Sequence, residues 1–237
     1  DEQTITVDGT DCLSETPKLG TLKIQKVSEN PSITNGNQCY SLKGAVYELK
    51  DTSGNVIKTL ITDDNGKASA NEIPLGKYTL TEKTASPGYA VNKTVVNIDF
   101  TDEETKSLVG DGCLTDKPTN DPLIIEINKL DLDTGEAKPS GDASLENAQF
   151  YIRYYAGKYT HDNLPSEATR TWIIKTRKMP NGKYLATLAP SYLVEGVKQD
   201  DFYYEDGMIT LPIGTLTIEE KEAPEGYRKD NATMVDK

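Results

Sequence analysis

The chain is poor in the groups that most enzymes and metal sites rely on. Its 237 residues hold one histidine, one tryptophan, three phenylalanines and three cysteines. Three cysteines build no disulfide framework, show no paired metal-ligand spacing and leave at least one thiol unpaired within a monomer. No Ser-His-Asp pattern with supporting context, no phosphate-binding loop and no basic patch is present. The one histidine, His161, sits among Thr160, Asp162 and Asn163 in a polar stretch expected to face solvent. No apolar run approaches the roughly 20 residues of a membrane span. The first residues, DEQTITVDGT, are acidic and lack the apolar segment of a signal peptide, so the chain reads as mature or as an excised fragment. The lack of a long apolar run leaves no segment for membrane insertion, and a net charge of −12 argues against nucleic acid and anionic membrane surfaces as partners. No cofactor or metal is implied. The stretch LDLDTGE (Asp131, Asp133, Gly135, Glu136) lacks the ligand series of a calcium-binding loop and reads as a hairpin turn. Asn92 and Asn231 head formal glycosylation sequons.

What the chain does have is 13 tyrosines and a repeated pattern. Tyr78 to Tyr89 reads YTLTEKTASPGY, and Leu216 to Tyr227 reads LTIEEKEAPEGY. Side chains alternate along a strand, so Tyr78, Leu80 and Glu82 share one face, as do Leu216, Ile218 and Glu220. An inward face that runs aromatic, aliphatic, carboxylate places an acid where an apolar residue is expected. Burying an unpaired carboxylate is costly, so Glu82 is expected to be protonated, partnered or chemically employed. Each copy then breaks at a Pro/Gly turn.

The openings of the two units match as well. TLKIQK places Leu22, Ile24 and Lys26 on one face; LIIEINK does the same with Ile125, Ile127 and Lys129. In both units a serine follows that lysine by 15 residues, at Ser41 and Ser144. Ser53-Gly54-Asn55 and Asp64-Asn65-Gly66 supply hairpin turns, TVVNIDF forms a further strand, and GCLTD closes the first unit with Leu114 and Asp116 on one face. Ser41 to Glu82 spans 41 residues and Ser144 to Glu220 spans 76, so the second unit carries 35 extra residues within about 156–206. The chain therefore divides into residues 1–17, a closing strand of a preceding repeat because DCLSETP matches GCLTDKP; a first domain, 18–118; and a second, 119–237, lacking its last strand.

A lysine near the end of the first strand, a YxLxE strand and the Ala/Pro/Gly-Tyr turn that follows resemble the Cna B-type, prealbumin-like domain of Gram-positive surface adhesins and pilins. The resemblance covers both units. It implies tandem antiparallel β-sandwich domains, an all-β chain of the immunoglobulin/prealbumin-like kind. It also implies a spontaneous isopeptide bond, with Lys26 as nucleophile, Glu82 as proton shuttle and Asp116 as acceptor; in the second unit Lys129 and Glu220 fill the nucleophile and shuttle roles. Asn97, in the strand TVVNIDF, is the competing acceptor, although it is not in the closing strand. The chemistry is coherent on physical grounds. Apolar burial favours the neutral amine that can attack a carbonyl, desolvation favours the protonated acid, and a shared carboxyl can relay protons as water leaves.

These readings imply a structural stalk segment of a secreted or wall-anchored surface protein, not an enzyme, partnered by neighbouring domains of the same longer chain. The alternative is a ligand-binding module in which Trp172, Tyr154, Tyr155 and Tyr159 of the extra segment grip a glycan or a host protein. A head-to-tail contact is also expected, in which residues 1–17 of one molecule fill the open groove of the next, with Leu13 inward and Glu15 at the acceptor position.

Overall fold

The computed structural model describes residues 15–121, 125–229 and 231–236. The fold is all-β, with antiparallel pairing dominant. The chain forms two compact units. One comprises residues through Val27, Leu42–Ser86 and Ala90–Asp116; the other comprises Ser28–Ser41, Pro87–Tyr89 and Lys117–Lys237.

In the first unit β1 (Leu19–Ser28) alternates as its sequence dictates, with Leu22, Ile24 and Lys26 buried and Lys23 exposed between them. It is followed by β2 (Val46–Asp51), β3 (Val56–Ile61), β4 (Lys67–Pro74), β5 (Gly76–Thr84), β6 (Val96–Phe100), β7 (Thr105–Leu108) and β8 (Leu114–Asp116). One sheet runs β3-β2-β5-β6; in the other β4 and β7 flank β1, and β8 also pairs with β1. Leu22 and Ile24 from one sheet share a core with Tyr47, Leu49, Tyr78 and Leu80 from the other, which is the sandwich arrangement the alternation predicts. The β1–β7 pairing is parallel, with Thr21 opposite Thr105 and Ile24 opposite Leu108. The turn before β4 is held by Asp63, whose Oδ1 accepts hydrogen bonds from the amides of Asn65 and Lys67. Gly66 in that turn has φ +73°, and a Cβ there would strike the Lys26 carbonyl. Its own carbonyl accepts the Lys26 N–H at 2.8 Å, so this turn fixes the end of β1.

The second unit contains β9 (Asn120–Asp121), β10 (Glu126–Lys129), β11 (Gln149–Tyr155), β12 (Arg170–Lys175), β13 (Arg177–Lys178), β14 (Tyr184–Thr187), β15 (Tyr203–Glu205), β16 (Met208–Pro212), β17 (Thr215–Glu222) and β18 (Thr233–Asp236). Its main sheet runs β12-β11-β17-β18, and β10 pairs with β14. β18 stands beside β17 as β6 stands beside β5. A short helix, α1 (Pro31–Thr34), also belongs to this unit, inside a stretch the sequence marks only as a loop.

The extra segment is built into this unit as β12 to β15, and its aromatics correct the ligand-gripping reading. Trp172 and Tyr154 are 0% and 1% exposed, and Tyr155 is buried as well. Trp172 stacks on Phe202 at 5.7 Å between ring centroids, and its Nε1–H donates to the Asp200 carbonyl at 2.8 Å. Tyr154 donates its hydroxyl to the Ile213 carbonyl and accepts from Asn37 Nδ2. Tyr159 is half-buried, edge-on to Tyr155 at 6.2 Å. A glycan-gripping face needs exposed aromatics beside polar groups, and these rings are spent on the core.

Candidate functional site

Three ionisable side chains meet inside the first unit. Lys26 comes from β1, Glu82 from β5 and Asp116 from β8, and the side chains of all three are at most 1% exposed. Strand alternation brings them there, since Lys26 continues the stripe of Leu22 and Ile24 while Glu82 continues that of Tyr78 and Leu80. Lys26 Nζ contacts Asp116 Oδ2 directly and lies 3.5 Å from Glu82 Oε1. Asp116 Oδ1 has no hydrogen-bond partner among the described residues. Burial pulls the Lys26 ammonium down from an ordinary 10.5 to about 8, although the charge of Glu82 and a hydrogen bond to it act the other way. An ammonium with two carboxylates in one dry site would leave an unbalanced negative charge, an arrangement that burial penalises.

Asn92 links this site to the closing strand. Its backbone N–H donates to Glu82 Oε2 at 2.7 Å, and its side-chain Nδ2 donates to the Thr115 carbonyl at 2.8 Å. One residue thus orients the glutamate and holds β8 in register. The sequence marks Asn92 only as the head of a sequon. The clue was its place ten residues after Glu82, too loose a signal without the fold. Beside Glu82 lies a cavity of about 160 Å³, lined by Tyr47, Leu80, Asn92 and Leu114 among others. Burial first, then the Glu82 charge, pushes the Tyr47 phenol above its usual range.

The other candidates are placed differently. Asn97 is exposed on β6, on the face opposite buried Ile98, and does not join the lysine. In the second unit Lys129 Nζ pairs with Glu220 Oε1 at 2.6 Å, its side chain 21% exposed where that of Lys26 is 0%. This pair borders a groove of about 320 Å³ lined by Ile127, Phe150, Ile218 and Met234. For the head-to-tail contact, Leu13 and most of residues 1–17 lie outside the described residues; Glu15 is described and exposed. Cys39 and Cys113 are free thiols, and Cys12 lies outside the described residues. Asp131 anchors the LDLDTGE turn, accepting from Tyr227 Oη and Ser140 Oγ, which with the backbone amides of Asp133 and Thr134 hold its carboxyl well below the usual range. No cluster among the described residues is arranged to hold a metal, and no helix among them is long and apolar enough to cross a membrane.

The depressed Lys26 value has a consequence for stability. Between about pH 8 and 10.5 the unfolded lysine holds a proton that the folded one has lost, so the unreacted folded state gains stability as pH rises through that window and loses it on acidification. In Asp116→Ala, which keeps Lys26 and Glu82 but has no acceptor, the melting temperature should climb from pH 7 to 9 relative to Lys26→Met/Asp116→Ala. A difference that stays flat across that range would contradict the buried, depressed lysine.

Residues 20–112 match the SpaA family, described as a prealbumin-like fold domain. No curated protein matches the chain. Among solved structures, the Bacillus anthracis TIE protein is similar over 92% of this chain at 23% identity with a TM-score of 0.55, and the chain spans only 31% of that protein. A C-terminal fragment of the pilus adhesin SpaC from Lactobacillus rhamnosus GG is 15% identical over 91% of this chain and 81% of its own, with a TM-score of 0.48. BcpA, the major pilin subunit of Bacillus cereus, is 13% identical over 92% of this chain and 67% of its own, at 0.33. The two-sheet sandwich of the first unit agrees with the prealbumin-like fold of the family model that matches residues 20–112.

Proposed function

We propose that this chain is a stalk segment of an extracellular adhesin or pilin, and that its first unit closes an autocatalytic amide between Lys26 and Asp116. The observation that carries the reading is the lysine held against an acid in a dry site, joining the ends of β1 and β8, with a second carboxyl beside both. Neutral Lys26 Nζ attacks Asp116 Cγ. Glu82 takes the proton that the nitrogen gives up and delivers one to the departing oxygen. The new N–C bond replaces the C–O bond, and one water leaves. Prepositioning by the folded sandwich turns an intermolecular encounter into an intramolecular one. Each molecule reacts once and consumes its own groups, so this is self-modification and not turnover. The likeness to pilins and adhesins favours an extracellular, wall-anchored or secreted setting and neighbouring domains of one longer chain as partners.

The cross-link makes the first unit a short tether under load. It encloses the chain from residue 26 to residue 116, which fully extended would add roughly 300 Å. Single-molecule pulling on the whole chain should show that length missing in the wild type and restored in Asp116→Ala. Equal extension in the two proteins would refute the mechanical role.

A further inference from the structure

We infer that Tyr47 is a positioning residue for this reaction, its hydroxyl holding the Glu82 carboxyl in the orientation that serves Lys26 and Asp116. The inference rests on the proposed bond and adds a group that the lysine, acid and glutamate scheme does not contain. In the β2–β5 ladder Tyr47 stands directly opposite Glu82. It is 3% exposed and lines the cavity of about 160 Å³ beside Glu82; its Oη makes no hydrogen bond of good geometry among the described residues, yet it lies near enough to the Glu82 carboxyl for that contact to help raise the phenol. A buried hydroxyl without a well-formed hydrogen bond is unfavourable, so packing does not account for it. The second unit supports the same point, because Phe150 stands opposite Glu220 in the corresponding ladder and is likewise buried. A plain ring therefore fits this place in the fold, and the oxygen is the difference between the units.

The geometry around Glu82 shows what the oxygen can do. Oε2 is fixed by the Asn92 amide at 2.7 Å, whereas Oε1 lies 3.5 Å from Lys26 Nζ, beyond a good proton-transfer distance. A phenol both donates and accepts. It can donate to Glu82 as a carboxylate and accept from Glu82 as an acid, following the group through both halves of the relay. The cavity that Tyr47 lines has room for the water released by the condensation, which would supply a well-aligned partner. The raised phenol stays protonated throughout, so no bond at Tyr47 is made or broken.

The test follows the full chain made by cell-free translation, its intact mass read against time. Wild type should lose one water, and Tyr47→Phe should do so about tenfold more slowly, the size expected for one lost hydrogen bond to a charged group. In the Asp116→Ala background, where no bond forms, Tyr47→Phe should leave the melting temperature unchanged, which separates positioning from packing. Equal rates for Tyr47→Phe and wild type would overturn the inference while leaving the bond intact. A melting loss in the Asp116→Ala background would also overturn it, by making Tyr47 structural. If wild type loses no water, the bond itself is absent and the inference falls with it.

Discussion

Glu82→Gln will fold, fail to lose water and melt far below wild type. The substitution keeps the shape of the side chain and an oxygen for the Asn92 amide, so the sandwich core of Leu22, Ile24, Leu49 and Leu80 stays packed. What it removes is the group that carries a proton from Lys26 Nζ to the departing oxygen. Without the amide, the loop from residue 26 to 116 is open in the unfolded chain, worth about 4–5 kcal/mol by the chain-entropy relation for a cross-link. For a domain of about 100 residues that corresponds to a fall of roughly 20–30 °C. The unreacted lysine and acid also remain buried as charged or polar groups, which adds to the loss. Glu82→Ala should behave alike, with a further decrement for the cavity it opens. Scanning calorimetry beside intact mass distinguishes the outcomes. A Glu82→Gln protein that still lacks one water would leave Glu82 without an essential part in the reaction.

Trp172→Ala should lower the stability of the second unit by about 3–5 kcal/mol, the usual result of emptying a large aromatic site. The indole is fully buried, stacked on Phe202 and hydrogen-bonded to the Asp200 carbonyl, so truncation removes packing and strands that carbonyl. A tryptophan on an exposed binding face would change stability by only a few tenths of a kcal/mol. Chemical denaturation, followed by far-ultraviolet circular dichroism because the only tryptophan is gone, reads the difference. In wild type the same residue should emit at the blue end of the tryptophan range until the unit unfolds. A variant as stable as wild type would return Trp172 to the surface and revive the ligand-binding reading.

Much of the first unit was legible because its pattern breaks the ordinary rule. Lys26 and Glu82 each continue an apolar stripe, and a charged group at such a place can be read from strand alternation alone. Asp116 was reachable from its place two residues after Leu114 in the closing stretch. The repeat strengthens the readings of Lys26 and Glu82, since Lys129 precedes Ser144 by the spacing at which Lys26 precedes Ser41, and Glu220 ends the same alternating strand pattern. The groups that orient the chemistry were not legible. Tyr47 looks like any tyrosine in a half-buried strand, and only pairing across the sheet sets it opposite Glu82. Asn92 acts through its backbone amide, which no side-chain pattern records. The parallel partner of β1, TKSL, is short and polar, so its place is decided by the edge it fills and not by its own periodicity. Trp172 was misplaced for a related reason. Composition reports how many aromatics a segment has, and the sheet it packs against decides whether they face water.

A covalent bond between β1 and β8 is read without ambiguity from the intact mass of the wild-type chain under denaturing conditions. A mass one water below that of the sequence, together with a Lys26–Asp116 branched peptide after digestion, is the predicted result. The full sequence mass would contradict the account, leaving Lys26, Glu82 and Asp116 as a buried ionic cluster and nothing more.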